Sequence, residues 1–338
     1  MNQRLFVSSG AFLLLVVLAQ GLAGDAPGAR EGSGGARIVK AAAVVLEALG
    51  PEASKAALFD SDSKERFNWH FIPRERKGIP LKDLDLKQRE KVLSLLDASL
   101  SAEGAKKARQ VMSLEDVLRE IEGPGRRFPR DPLLYYLSFF GKPSADSAWG
   151  WRLEGHHLAL NFSLKGEKLL SATPAFHGAN PATVKEGPRK GERVLAAVED
   201  LARELVTSLD EAQLKSALGT EVPDEVPGAE TPRYTGTLPA GIVAERLTGA
   251  QRKTLRKLIE AYTSNLSEEV ASSLLLEGAE GGLEEVHFAW RGGLKPLEGH
   301  SYMLHGPRFL INYANFQNGA AHIHSCLRTP KGEFGIDG

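Results

Sequence analysis

The sequence predicts an α+β protein whose chain is written twice, as two halves of helices followed by antiparallel strands and related by a pseudo-twofold. Three observations carry that expectation. Residues 84–89 (LDLKQR), followed by Val92, Leu95 and Leu96, share their spelling with residues 247–252 (LTGAQR), followed by Leu255, Leu258 and Ile259. In both, apolar residues recur at helical spacing behind a capping residue, Asp85 or Thr248, so each copy reads as an amphipathic helix. Residues 151–162 (WRLEGHHLALNF) then align without a gap on residues 302–313 (YMLHGPRFLINY), aromatic meeting aromatic at both ends. Finally, in both halves helical sequence precedes strand-like sequence with tight turns at Lys165-Gly166 and Asn318-Gly319, and helices segregated from hairpin-connected strands point to α+β. The period is far longer than that of a solenoid repeat.

Taken in order, residues 1–23 read as a secretory signal: Arg4, an apolar run over 11–19 and the small residues Gly21, Ala23 and Gly24 stand in the order of n-region, h-region and cleavage site. The run is too short to span a bilayer, so the mature chain is expected to be secreted or periplasmic, with no membrane contact after cleavage. Residues 24–36 are rich in Gly and Ala and read as a flexible leader. The N-terminal half follows over 37–218 and includes the amphipathic helix 193–209. Residues 219–241 hold Pro223, Pro227, Pro232 and Pro239 among acids and read as a linker; the C-terminal half occupies 242–338, and the halves are expected to pack as one unit.

Lys and Arg number 42 against 43 Asp and Glu over 338 residues, a balance that offers no field for gripping nucleic acid. The single cysteine, Cys326, excludes an internal disulfide framework and a zinc site of several thiolates. No serine elbow, phosphate loop or dinucleotide fingerprint occurs. What remains is imidazole. Reading residues 155–162 as strand, His157, Ala159 and Asn161 share the face opposite Leu158, Leu160 and Phe162. In the second copy Arg308, Leu310 and Asn312 oppose Pro307, Phe309, Ile311 and Tyr313, and beyond the Asn318-Gly319 turn His322 and His324 oppose Ile323. A polar sheet face bearing His157, His322 and His324 is therefore expected. Two histidines at i and i+2 on a strand suit a divalent transition metal, zinc first among them, with Arg308, Asn161, Asn312 and His177 as substrate contacts. Two function classes fit: a metal-dependent hydrolase acting on a small anionic substrate, or a non-catalytic module that binds a metal or small ligand. The carboxylate base that hydrolysis would need has no assigned position.

Residues 151–161, 173–181 (TPAFHGANP), 306–311 and 317–325 (QNGAAHIHS) resemble, in this order, the proteins grouped as DUF3500. The resemblance covers nearly all the chain after the leader and implies export and a shared site rather than a named reaction. It also implies acidic residues where this chain has Asn312 and Ala314, and a further segment beyond the Phe334-Gly335 region. By alternation both missing acids belong to the histidine-bearing face, so the departure bears on metal affinity and on acid-base chemistry.

Overall fold

A computed structural model describes residues 34–227, 231–274 and 280–336. The first helix, α1 (Gly34–Ala57), buries Ile38, Ala42, Val45 and Leu49 at helical spacing, and bends at Gly50-Pro51, where Gly50 has φ 69° and proline brings no amide hydrogen. The stretch expected as a leader is therefore shorter at its end. Gly34–Ala36 open α1, and Gly35 lies so close to the backbone of Glu167 that a side chain would have no room. The expected signal and the rest of the leader lie outside the described residues.

After β1 (Leu58–Phe59) an irregular segment leads to β2 (Ile79–Pro80), α2 (Leu86–Ser99) and α3 (Ala102–Glu122). The strands β3 (Tyr136–Phe140), β4 (Ala148–Gly155), β5 (Leu158–Lys165), β6 (Lys168–Ser171) and β7 (Ala175–Ala179) follow, then α4 (Ala196–Thr207) and α5 (Glu211–Ala217). The second half runs through β8 (Ile242–Val243), α6 (Gly249–Thr263), α7 (Glu268–Leu274), β9 (His287–Gly292), β10 (His300–His305), β11 (Leu310–Gln317) and β12 (His322–Arg328). Helices and strands are segregated as an α+β fold requires.

All the described strands join one sheet, ordered β1-β3-β4-β5-β7-β12-β11-β10-β9-β8, with β2 beside β3 and β6 beside β5. Only β1 and β3 run parallel; the other pairs are antiparallel. Strand order reads alike from either side of the central β7–β12 pair. Trp151 faces Phe162 across β4 and β5, and Tyr302 faces Tyr313 across β10 and β11, the residues that the aligned sequences equate. Asp85 with Gln88 and Thr248 with Gln251 each form a capping box, satisfying amide groups that the first turns of α2 and α6 leave open. The correspondence is one of topology and register; descent of the halves from one ancestor is not shown by it.

The helices pack on one face of the sheet, where Leu158, Leu160, Phe162, Ile311, Tyr313, Ile323 and Leu327 join their core. The opposite face, expected to be a polar surface, is also covered. Trp69 and Phe71, from the irregular segment after β1, pack there with Ala159, Phe176, Cys326 and Phe334, and the Phe71 and Phe176 rings stack at 4.0 Å. The stretch expected as a linker contributes too: the Gly219 amide donates to the Trp290 carbonyl, and Val222 and Val226 are buried. Within β5, β11 and β12 the faces follow the alternation, which did not reveal the second cover because the segment that supplies it has no regular period.

Candidate metal centre

The candidate centre lies where a tight turn meets the start of β12. His156-His157 form the turn between β4 and β5, so these two residues do not continue a strand as the alternation reading assumed. His157 adopts φ 63°, a left-handed conformation that costs an L-residue about 1–2 kcal/mol. Two backbone bonds hold it: its amide donates to the Phe71 carbonyl at 2.9 Å, and its carbonyl accepts the Gly178 amide at 2.7 Å. Gly178 is required for a second reason. A Cβ there would stand 2.8 Å from His157 Cδ2, so the imidazole lies over the glycine of β7.

On β12, period two sends Ile323 and Leu327 to the helix-side core and His322, His324 and Cys326 to the other face, as expected. The turn and the strand thus bring three imidazoles together. His157 Nε2 lies 2.7 Å from His322 Nε2, and the His322 and His324 rings stand 4.6 Å apart, edge to face. One potential ligand atom from each histidine lies within 4.8 Å of the others. His324 donates from Nδ1 to Glu225 Oε1 at 2.6 Å, which leaves Nε2 as its ligand-capable atom. Glu225 is fixed in turn by the Val226 amide and by Gln317 Nε2. This is the carboxylate–histidine pairing that orients metal-binding imidazoles.

Electrostatics favour neutral rings at His157 and His322, the form that ligates. Burial, with the neighbouring imidazoles, holds His157 well below the usual histidine range, and burial beside His324 brings His322 down to about 4. For Glu225, burial alone would raise the carboxyl, but the hydrogen bonds from His324, Val226 and Gln317 keep it below the usual range. Ligation at neutral pH therefore requires neither His157 nor His322 to lose a net proton. Zinc–nitrogen bonds of about 2.0–2.1 Å in a tetrahedron would set nitrogens about 3.3 Å apart. The 2.7 Å contact is an N–H···N hydrogen bond between neutral rings, and the pair must open by about 0.6 Å to share an ion.

A second set, Glu115, His156 and His157, also brings ligand atoms within 4.8 Å. It is the poorer site for a cation. His156 Nδ1 is already 2.5 Å from Glu115 Oε1, and the Arg130 guanidinium stands 3.3 Å from the same nitrogen. Burial pushes the Glu115 carboxyl up to about 8 and holds His156 well below its usual range, so at neutral pH the pair is largely uncharged, with Glu115 as donor. The His156 ring stacks on His157 at 3.7 Å and supports it from behind.

Other expected site residues lie elsewhere. Arg308 is exposed in the turn between β10 and β11 and donates to the Ser273 carbonyl. That turn adjoins the end of β12 opposite His322, since Leu310 pairs with Arg328 and Gln317 with His322. Pro307, placed with the core by alternation, is exposed beside it, because strand pairing starts only at Leu310. His177 shares a side of β7 with Ala175 and Ala179, which face the helix layer, and is buried there away from the three histidines. Asn161 is buried opposite Arg152 and donates to the Pro174 carbonyl, a structural tie. Asn312 lies on the same side of β11 as Ala314, which is directly opposite His324. Cys326 is buried, its thiol pushed up to about 12, which leaves it no nucleophilic role.

Glu225 and Glu115 escaped the sequence reading. Glu225 sits in a stretch whose prolines and acids resemble solvated linker, and the signal against that reading was Val222 and Val226, apolar residues four apart on either side of it. Where the family resemblance implies an acid, this chain places Ala314 beside His324, and the carboxylate on that ring comes from Glu225 instead. No curated protein and no solved structure matches the chain. The family model described as "Protein of unknown function (DUF3500)" matches residues 31–336, nearly the whole sequence, and the chain belongs to that family.

Proposed function

We propose that this protein holds a divalent transition metal, zinc in the first instance, on His157, His322 and His324, and that it is an exported hydrolase acting on a small molecule. The observation that carries the proposal is a set of three imidazoles with ligand-capable nitrogens close together, one of them backed by a carboxylate. Zinc held by three imidazoles keeps a fourth position for water and lowers the pKa of that water to about 7. The chain's own groups supply the rest: Glu225 fixes the tautomer and orientation of His324, and Glu115 is a neutral carboxyl able to give up a proton beside His156. The anionic substrate expected from sequence loses its anchor with Arg308. A non-catalytic binding module is the second reading, favoured by the burial of His157 and His324, 2% and 4% exposed, which leaves only His322 within reach of solvent.

Elemental analysis of protein purified without a metal-affinity step tests the reading. About one zinc per chain is expected. His322→Ala and His324→Ala should each remove most of it, and Glu225→Gln should weaken zinc binding about 10–100-fold. Wild type at background metal would defeat both classes of metal function. An esterase, phosphatase and peptidase screen with and without chelator then separates hydrolase from binding module. Export rests on residues 1–23, and N-terminal sequencing of protein from its native host should find a chain beginning just after Gly21, Ala23 or Gly24.

A further inference from the structure

Strands β11 and β12 pair without a break from Leu310 opposite Arg328 to Ala314 opposite His324, and the register then shifts so that Gln317 stands opposite His322. Asn315 and Phe316 together face the single Ile323, which makes a β-bulge, a device that bends a strand and re-aims its side chains. Two contacts at the candidate centre depend on the extra residue. The His322 amide donates to Asn315 Oδ1 at 3.0 Å, so a side chain ties the backbone of this histidine to β11. Gln317 donates from Nε2 to Glu225 Oε2 at 2.8 Å, while Glu225 Oε1 accepts from His324 Nδ1. In an unbroken ladder Phe316 would stand opposite His322, and its ring carries no donor for the carboxylate. Asn315 is fully buried, and the oxygen that burial would otherwise leave unpaired is the one that meets the His322 amide.

We propose that Asn315 is a positioning residue of the candidate centre: by accepting the His322 amide it closes the bulge, and through the bulge it sets both the place of His322 and the reach of Gln317 to the carboxylate behind His324. The proposal rests on the histidine reading only for its effect on a metal; the geometry assigned to β11 stands apart from it. Without the Asn315 oxygen the two-against-one arrangement loses the bond that closes it. Fraying from Asn315 onward and slipping into the unbroken register both take Gln317 away from Glu225. A substitution that touches no ligand thereby disturbs two of them, His322 directly and His324 through its carboxylate.

Hydrogen exchange of backbone amides in the metal-free protein, followed by NMR, reads the positioning without a metal, and zinc titration reads its consequence. Asn315→Ala should speed exchange of the His322 amide about tenfold or more while Ser325 and Leu327, farther along β12, keep their rates, and should lower zinc affinity about tenfold. Asn315→Asp retains the acceptor oxygen and should restore both. Gln317→Ala, at an exposed position, should lower zinc affinity by itself and leave the His322 amide slow. Combined with Asn315→Ala it should add nothing further, because the bulge already governs that contact. A His322 amide that stays slow in Asn315→Ala, faster exchange spread evenly along β12, or zinc losses that simply add in the double variant overturns the assignment. If Asn315→Ala does not fold, Asn315→Asp decides in its place: wild-type exchange and affinity support the role of the oxygen, and a folded variant that loses either overturns it. Wild type that takes no zinc but shows this exchange pattern would sink the metal reading and leave the positioning standing. Zinc bound equally by wild type and Asn315→Ala would do the reverse.

Discussion

His177 shows how a single buried ring records its surroundings in the pH dependence of stability. It faces the helix layer from β7, its Nε2 lacks a hydrogen-bond partner among the described residues, and burial, reinforced by Lys107, brings it down to about 3. The folded state thus resists protonation that the unfolded chain accepts near pH 6.5. Its contribution is complete above that value and is lost as pH falls from 6.5 toward 3, about 2 kcal/mol between pH 7 and 5. His177→Gln cannot take up this proton, so urea unfolding of the variant at pH 7 and pH 5 should show a difference smaller than wild type by about that amount. An unchanged difference would mean that His177 is not held neutral. Gly178, the next residue, carries a sharper prediction for the site. Gly178→Ala would drive the His157 ring from its seat, so zinc affinity should fall about tenfold or more although every ligand remains.

Among elements, β12 was the most legible. Two histidines flanking Ile323 set its faces, and the strand follows that pattern, with Ile323 1% exposed in the helix-side core. Ile323→Ala should cost roughly 2–5 kcal/mol in chemical denaturation, whereas His324→Ala, whose ring bonds Glu225 on the other face, should chiefly change metal content. The reverse ranking would invert the face assignment. The helix starts were legible for an equally local reason: Asp85 and Thr248 sit three residues before a glutamine, and Asp85→Ala or Thr248→Ala should each cost about 1 kcal/mol. The β4–β5 turn was not legible, because His156-His157 carries none of the Gly, Asn or Asp that usually marks a two-residue turn. Alternation therefore ran through it, and the same error carried Arg308 toward the site. The cover over the site was hidden more deeply. Trp69 and Phe71 belong to an irregular segment, and Glu225 to a proline-rich one, so their positions follow from tertiary packing that no local period encodes.

At the scale of the molecule, the candidate centre exists only because the halves share one sheet. His157 comes from the first half, His322 and His324 from the second, and Glu225 from the stretch between them. The seam is the antiparallel pairing of β7 with β12, where Ala175–Ala179 meets residues 323–327, and β12 also brings Ile323 and Leu327 into the common core. Removing the second half would bare the β7 edge that pairs with β12, an open strand edge that favours aggregation over a soluble domain. A fragment of residues 34–218 should accordingly show no cooperative thermal transition by circular dichroism and no zinc binding. Co-expressed with residues 219–338, it should become soluble as a complex that binds zinc, since the two pieces restore the seam, the carboxylate and all three imidazoles. If the fragment were instead a soluble monomer that unfolds cooperatively by itself, the halves would be separate domains, and the shared sheet would be their interface rather than the source of their stability.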